Sequence, residues 1–326
     1  MRTQDNKRPV LVTGAGGFVG RALVSALHSS AGYRPLPAYH RLPSRQESPF
    51  VFDLTDAASC RELFRGTGID AVIHLAAHVH QFGKGSRCLE GVRAVNLEGT
   101  LHLARAAAAG GVRRFIYLSS VKVNGERTLA GQRFSPASEP RPQDPYGISK
   151  LEAETALFDL GEQAEMEIVV VRPPLVYGPG VKANFRDLMA LVAKSIPLPL
   201  GLVRNRRSLL YLSNLVDLLL LCLEHPAAQG QVFFAADREE ASTPELLRLI
   251  GQVMGVPVRL FPVPESLLRL TATLLGQESR ASKLCDSLLV DWSRTRELLG
   301  WEPRYSLREG LERTVSHFLG EDFETP

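Results

Sequence analysis

The sequence predicts an α/β protein built on a doubly wound parallel sheet, with a smaller, mostly helical C-terminal lobe. Three observations carry this. Short Val- and Ile-rich runs alternate with longer helical patterns through the first half, the rhythm of parallel strands joined by right-handed helical crossovers. Those runs are hydrophobic throughout instead of alternating, as strands covered on both faces require. A glycine-rich turn, Gly14-Ala-Gly-Gly17-Phe-Val-Gly20, follows the first run at once and opens an amphipathic helix.

The predicted strands of the first half are Val10–Thr13, Tyr33–Tyr39, Phe50–Phe52, Ala71–Leu75, Phe115–Leu118 and Ile168–Val171. Between them Gly20–Ser29, Ala57–Arg65, Val92–Ala109 and Tyr146–Gly161 have helical length and period. From Pro173 onward prolines cut the chain into short pieces separating Leu-rich helices at Phe185–Ala193, Leu215–His225, Pro244–Met254 and Glu265–Leu275. Thr243 reads as an N-cap followed by Pro244 at the first helical position. Gln231–Ala235 is the one later segment with the character of a returning strand. The expected division is therefore a dinucleotide-binding unit over 1–173, rejoined by 208–236, and a substrate lobe made of 174–207 and 237–326.

With 326 residues the chain exceeds the usual single-core size, in keeping with one large or two interleaved domains. An apolar fraction of 44% and a charged fraction of 22% exclude a disordered chain. The net charge of +3 suits an anionic small ligand and lacks the basic stripe of a nucleic-acid binder. Cys60, Cys88, Cys222 and Cys285 show no C-x-x-C spacing, which predicts reduced structural thiols, a cytoplasmic protein and no metal site. The polar start MRTQDNKRP runs straight into VLVTG, with no expected signal peptide. Leu209–Leu223, the greasiest run, is interrupted by Ser213, Asn214 and Asp217 and predicts a buried helix, not a membrane span.

The glycine turn has a physical reading residue by residue. Gly14 permits the sharp exit from the strand, Gly17 lets backbone approach a diphosphate, and Gly20 lets the helix pack on the sheet. The turn's Phe18 and Val19 open the helix whose positive end faces phosphate oxygens. The second strand ends in Tyr39-His40-Arg41, without the carboxylate that NAD sites place there. Arg41, or Arg21 in the first helix, is then a partner for a 2′-phosphate; the other reading makes both solvated surface arginines. NADP(H) is favoured, with NAD(H) kept open. Asp53-Leu54 follows the third strand, where the carboxylate either meets the adenine amino group or caps the next helix in competition with Asp56. Leu75, Ala76 and Ala77 follow His74 at the sheet's carboxyl edge and leave room for the cofactor, while His74 itself reads as a packed strand histidine.

Tyr146-Gly-Ile-Ser-Lys150 is the chemical centre of the sequence. Asp144-Pro145 makes a helix start, which sets Tyr146 and Lys150 four apart on one face. An ammonium there is expected to lower the phenol's pKa from about 10 and fit it for proton transfer to or from a sugar hydroxyl. Ser119-Ser120, at the end of the fifth strand, delivers hydroxyls to the same edge.

On these residues the chain resembles the extended short-chain dehydrogenase/reductases of the nucleotide-sugar epimerase/dehydratase family. TGAGGFVG, DLTD, HLAA, VNLEGT, LSSVKVNG, DPYGISKLEAE, RPPLVYGPG, RRSLLYLSNLVDLL and LGWEPRYSL carry the resemblance along essentially the whole length. It implies a Rossmann fold, a homodimer and a small-molecule UDP-sugar as substrate. It implies Tyr146 as the base, Lys150 on the nicotinamide ribose, and Pro173 beside the cofactor. Setting V-N-G at 123–125 on the family's V-Y-G makes Ser120 the hydroxyl on the sugar, with Ser119 behind it. Asn96 matches the family's structural asparagine, against the plain alternative of a locally satisfied helix amide. Asn184 and Arg207 match the groups that hold the substrate diphosphate, Arg204 and Arg206 flanking the latter.

Three reactions are open to such a site. The family's dehydratases carry Asp-Glu directly after the hydroxyl; here Val121 and Lys122 stand there, which excludes elimination and leaves Lys122 among the expected substrate contacts. A 4-epimerase on tightly held NAD and a 4-keto reductase consuming NADPH remain. SSVKVNGE and PLPLGLVRNRRSLLYLSNLVDLL resemble the bacterial O-antigen (lipopolysaccharide) enzymes that reduce UDP-4-keto-6-deoxy-N-acetylhexosamines, so the reductase comes first and the epimerase second. A non-catalytic NADP(H) sensor or scaffold is a remote third, since such proteins lack the Tyr-x-x-x-Lys pair retained here. Ser266–Leu275 bears a single charge, Arg269, and reads as a buried or dimer-forming helix in preference to a lipid-facing one.

Overall fold

The computed structural model describes residues 7–40, 50–78 and 86–320. In chain order the first half comprises β1 (Arg8–Thr13), α1 (Phe18–Ser29), β2 (Tyr33–Tyr39), β3 (Phe50–Val51), α2 (Ala57–Glu62), β4 (Ala71–His74), α3 (Ser86–Arg93), a π-helical turn at Ala94–Gly99, α4 (Thr100–Ala109), β5 (Arg114–Leu118), α5 (Pro145–Ala164) and β6 (Glu167–Arg172). The second half adds β7 (Leu175–Tyr177), α6 (Ala183–Ala193), β8 (Arg207–Tyr211), α7 (Leu212–Glu224), β9 (Gln231–Phe234), β10 (Glu240–Ala241), α8 (Thr243–Met254), α9 (Glu265–Leu274), α10 (Glu278–Cys285), α11 (Ser293–Leu299) and α12 (Leu307–Leu319).

Seven strands form one parallel sheet in the order β3-β2-β1-β4-β5-β6-β9. The strand order reverses beside β1, so the crevice for a ligand opens at the carboxyl ends of β1 and β4. β2 holds Pro35 and Pro37, yet β3 pairs only with Ala38 and Tyr39. The prolines therefore lie where β3 demands no hydrogen bond from them. Leu23 and Leu27 of α1 and Leu215, Leu218 and Leu219 of α7 fill one face of the sheet. Leu103 and Ala107 of α4 and Leu157 of α5 fill the other. Each fully buried leucine contributes about 1.5–3 kcal/mol, which explains why both faces are apolar without alternation.

Several elements depart from expectation. Leu209–Leu223 is not one helix: Leu209–Tyr211 belongs to β8, in a three-stranded sheet ordered β10-β8-β7, and α7 begins only at Leu212. A doubly covered strand and a buried helix are equally apolar, so their junction leaves no hydropathy step. The N-cap of α8 is Ser242, not Thr243. Ser242 Oγ accepts from Glu245 N at 3.2 Å and the Glu245 carboxylate accepts from Ser242 N at 2.7 Å, a reciprocal capping box. Of the two readings of Ser266–Leu275, a buried or a dimer-forming helix, the first is not observed: α9 buries none of its residues. β7, β8, β10, α10, α11 and α12 went unassigned from sequence. Among the described residues no helix is long and apolar enough to cross a membrane.

Candidate functional site

After Thr13 the chain turns through Gly14 at φ +67°. A Cβ on Gly14 would lie 2.8 Å from the Ala76 nitrogen, and one on Gly20 would lie 2.1 Å from the Gly14 carbonyl oxygen. Only glycines let this turn nest against the end of β4 and under α1. The N-cap of α1 is Gly17, which brings no side-chain cap. The first-turn N–H groups, those of Phe18 and Val19 among them, thus have no intrahelical acceptor and face outward as an anion cradle.

A buried polar chain runs from this turn to the helix carrying Tyr146. Thr13 Oγ1 accepts from the N–H groups of Leu75 and Ala76 at 3.2 and 3.3 Å and donates to His74 Nδ1 at 2.6 Å. The Thr100 hydroxyl donates to the Asn96 carbonyl at 2.8 Å, so His74 Nε2 is the donor toward Thr100 Oγ1 at 3.0 Å. This fixes the neutral Nε2–H tautomer, and burial followed by the nearby Lys150 charge holds the His74 pKa down at about 3. His74 is the packed strand histidine expected. The widened π turn at Ala94–Gly99 directs Asn96 inward. Asn96 Oδ1 accepts from His78 N at 2.7 Å, and its amide donates to His78 O and Ser149 Oγ, both at 3.1 Å. Ser149 Oγ in turn donates to the Tyr146 carbonyl at 2.9 Å. Asn96 is thereby more than a locally satisfied helix amide: it joins the loop after β4 to α5.

Asp144 caps α5 as expected, accepting from Gly147 N at 2.6 Å, with Pro145 in the first turn. A Cβ on Gly147 would lie 2.7 Å from the Lys122 carbonyl oxygen. That close approach brings the start of α5 against the turn Ser120-Val121-Lys122. Ser120 Oγ accepts from Lys122 N at 3.3 Å, which occupies one lone pair and leaves the hydroxyl proton free to donate. Lys150, 1% exposed, donates from Nζ to the Leu118 carbonyl at 2.9 Å and lies 4.4 Å from the Tyr117 ring centre and 5.7 Å from that of Tyr146. Burial lowers its pKa to about 7 against the raising influence of Glu154.

The acidity of Tyr146 departs from expectation. Burial, and then the Asp144 carboxylate, raise its pKa above the ordinary value for a phenol. Desolvating a phenolate costs more than Lys150 returns from across the ring, because the ammonium is directed at a backbone carbonyl and is itself depleted by burial. In this site Tyr146 is a phenol, a proton donor at rest. The pair of phenol and amine one helical turn apart, a hydroxyl beside them and an uncapped helix N-terminus form a constellation that can hold a dinucleotide and move a proton at a carbon undergoing hydride transfer.

Residues 10–236 match the NAD dependent epimerase/dehydratase family. The chain belongs to this family. It is 41% identical to UDP-glucose 4-epimerase of Vibrio cholerae, covering 98% of each chain. It is 28% identical to GDP-6-deoxy-D-mannose reductase of Pseudomonas aeruginosa over 94% of this chain and 96% of that one. Among solved structures, RMD from Pseudomonas aeruginosa complexed with NADPH superposes with a TM-score of 0.75 at 25% identity, covering 97% of this chain and all of that one (100%). The protein is thus an enzyme of the epimerase/dehydratase family that works with a nicotinamide cofactor.

The residues present fit that cofactor: the turn tolerates no Cβ at Gly14 or Gly20, and Ser119 Oγ, at the carboxyl end of β5, is buried without a hydrogen-bond partner. Asp56, not Asp53, caps α2, accepting from Ala58 N and Ser59 N. Asp53 accepts from Thr55 N and Oγ1 at 2.9 and 2.7 Å, bonds that hold its pKa below the usual carboxylate range. Leu54 packs on Gly99 of the π turn. Arg41 lies outside the described residues. Arg21 Nη1 donates to Gly16 O at 2.7 Å and so lies over the glycine turn. The Pro173 carbonyl accepts from Val121 N at 3.0 Å, which fixes the strand exit beside Ser120.

The expected substrate contacts are less concentrated. Lys122 is salt-bridged to Asp144 and to Glu126. Asn184 is exposed in the first turn of α6, following Ala183 at the strained φ of +53°. Arg207 donates from Nη1 to the carbonyls of Lys283 and Asp286 at 3.0 and 3.1 Å, and Arg206 pairs with Glu240. The three arginines therefore do not act as one cluster. Arg204 lines a separate cleft of about 300 Å³ with Arg127 and Arg269. Sequence reasoning did not join Arg127 and Arg269 to Arg204, because neither lies near it in the chain.

Gly20→Ala is expected to lose at least about 2 kcal/mol of stability, since backbone cannot yield to the new methyl as a side chain does. Gly16→Ala is the control, its Cβ meeting only the Tyr39 ring at 3.5 Å. Thermal melts of the two variants compare them directly; equal transition temperatures would contradict the packing argument.

Proposed function

We propose that the protein is an NADPH-dependent 4-keto reductase acting on a UDP-4-keto-6-deoxy-N-acetylhexosamine in surface-polysaccharide synthesis. The observation that carries this over other reactions is the cofactor side of the crevice. β2 leads into Tyr39-His40-Arg41 with no carboxylate to exclude a 2′-phosphate, and Arg21 adds a cation over the turn. Arg41 and Arg21 would take the 2′-phosphate, and Gly14, Gly17, Phe18, Val19 and Gly20 the diphosphate. A nicotinamide bound there would supply the hydride to C4 of the sugar. Tyr146, protonated at neutral pH, gives its phenolic proton to the C4 oxygen. Ser120 donates its free hydroxyl proton to the same oxygen and orients it. Lys150 holds the ribose hydroxyls and supports Tyr146 after the proton has left. Asn184 and Arg207 are proposed to hold the substrate diphosphate; Arg207 keeps donors beyond the Nη1 group already used on the carbonyls of Lys283 and Asp286. Elimination finds no acid or base after Ser120, where Val121 is buried and Lys122 is ion-paired.

A second reading, a UDP-sugar 4-epimerase with tightly bound NAD, is favoured by the 41% identity with the Vibrio cholerae epimerase. The same residues would serve it, with Tyr146 first accepting and then returning the proton. Mass analysis of the cofactor that co-purifies, followed by UDP-sugar assays with and without NADPH, separates the two. Purified protein that lacks NAD and oxidises NADPH only when a keto-sugar is present supports the reductase. Stoichiometric NAD retained through purification, with interconversion of UDP-hexoses in the absence of added cofactor, would replace it with the epimerase. Arg41→Ala is expected to weaken NADPH far more than NADH; equal losses count against the phosphate role.

A further inference from the structure

Leu267, Leu270 and Leu274 of α9 recur on one helical face and are 48%, 56% and 77% exposed, with Leu275 at the helix end 72% exposed. The opposite side of α9 is fastened by Arg269, which is ion-paired to Glu265 at 2.6 Å and to Asp286 at 2.7 Å. Leu268 packs inward beside this ion pair, while Leu267, Leu270 and Leu274 face out. The edge extends beyond α9. Leu198 N donates to Arg259 O at 2.9 Å and Gly201 N to Phe261 O at 3.1 Å, which sets the loop 195–203 beside 259–264. That pairing adds exposed Ile196, Leu202 and Phe261.

The charge around this edge is one-sided. Segments 194–204 and 259–286 carry six cations, Lys194, Arg204, Arg259, Arg269, Arg280 and Lys283, against three carboxylates, Glu265, Glu278 and Asp286. Their excess equals the +3 of the whole chain, so the remainder of the molecule is net neutral. Pairing with a second copy would bring cations against cations across a two-fold axis, which like-charge repulsion opposes. Anionic headgroups over acyl chains meet both properties at once: the leucines enter the acyl boundary and the cations meet the headgroups. We propose that this edge docks the enzyme, peripherally, on an anionic lipid bilayer. The proposal stands independently of which reaction the site performs.

Sedimentation of the full chain with sucrose-loaded vesicles tests it. The expected result is binding to phosphatidylcholine vesicles containing phosphatidylglycerol, little binding to phosphatidylcholine alone, and weakening by salt. Leu270→Asp/Leu274→Asp is expected to reduce partitioning at least about tenfold, and Lys194→Gln or Arg259→Gln about fivefold each. These side chains are exposed, so melting temperature and turnover of soluble substrate should match the parent protein. Absence of binding to the anionic vesicles, or binding unaffected by the leucine variant, overturns the proposal. So does sedimentation equilibrium in which the parent protein dimerises and Leu270→Asp/Leu274→Asp is a monomer, which would assign the face to a second copy.

Discussion

Tyr146→Phe is expected to lower kcat at least about a hundredfold, a loss of about 2.7 kcal/mol of transition-state stabilisation, while leaving cofactor affinity within about twofold. The asymmetry follows from what the hydroxyl touches and what it does not. α5 is held by the Asp144 cap, by the Gly147 contact with Lys122, and by the bond from Ser149 to the Tyr146 carbonyl, none of which uses Oη. Lys150 keeps its bond to Leu118 O and its place over the Tyr117 ring. The substitution therefore removes a proton and little else. Turnover with the UDP-sugar and isothermal titration of the cofactor measure the two halves separately. Near-parental kcat would take the proton role from Tyr146, and a parallel collapse of cofactor binding would make the residue structural.

How much of this was legible in the sequence depended on distance along the chain. Gly14 to Gly20 and Tyr146 to Lys150 are short-range patterns, each contained in one turn or one helix, and the structure places them on the expected elements. The pKa of Tyr146 was not legible, because its direction is decided by burial and by which way the Lys150 ammonium points. Arg207 read as a free phosphate ligand because its partners are the backbone carbonyls of Lys283 and Asp286, which have no signature in residue types. The outward face of α9 was equally hidden: four leucines in ten residues signal burial somewhere, and the sequence does not state against what.

The least legible feature is the ion pair behind Lys150, and it supports the second large prediction. Glu154 continues the stripe of Tyr146 and Lys150 by one further turn of α5. Arg172, at the end of β6, donates from Nε to both Glu154 oxygens at 3.0 and 3.1 Å and from Nη1 to Asn124 Oδ1 at 2.9 Å. The two side chains are 6% and 3% exposed. A carboxylate so buried persists only because the guanidinium faces it. Arg172→Met is accordingly expected to cost about 3–5 kcal/mol in urea denaturation, through the uncompensated Glu154 charge. Arg172→Met with Glu154→Leu removes both charges and should recover most of that loss, so a double variant no more stable than the single one would contradict the assignment. The double variant should differ from the parent in its chemistry, however. Glu154 raises the pKa of Lys150 from the low value that burial imposes, about 7 in total. Without the carboxylate the ammonium is lost at lower pH, and the decline of kcat/KM that accompanies Lys150 deprotonation should move below pH 7. Recovery of stability together with an acid-shifted profile would establish that the pair supports both the fold and the charge state of Lys150, whereas an unshifted profile would confine it to the fold.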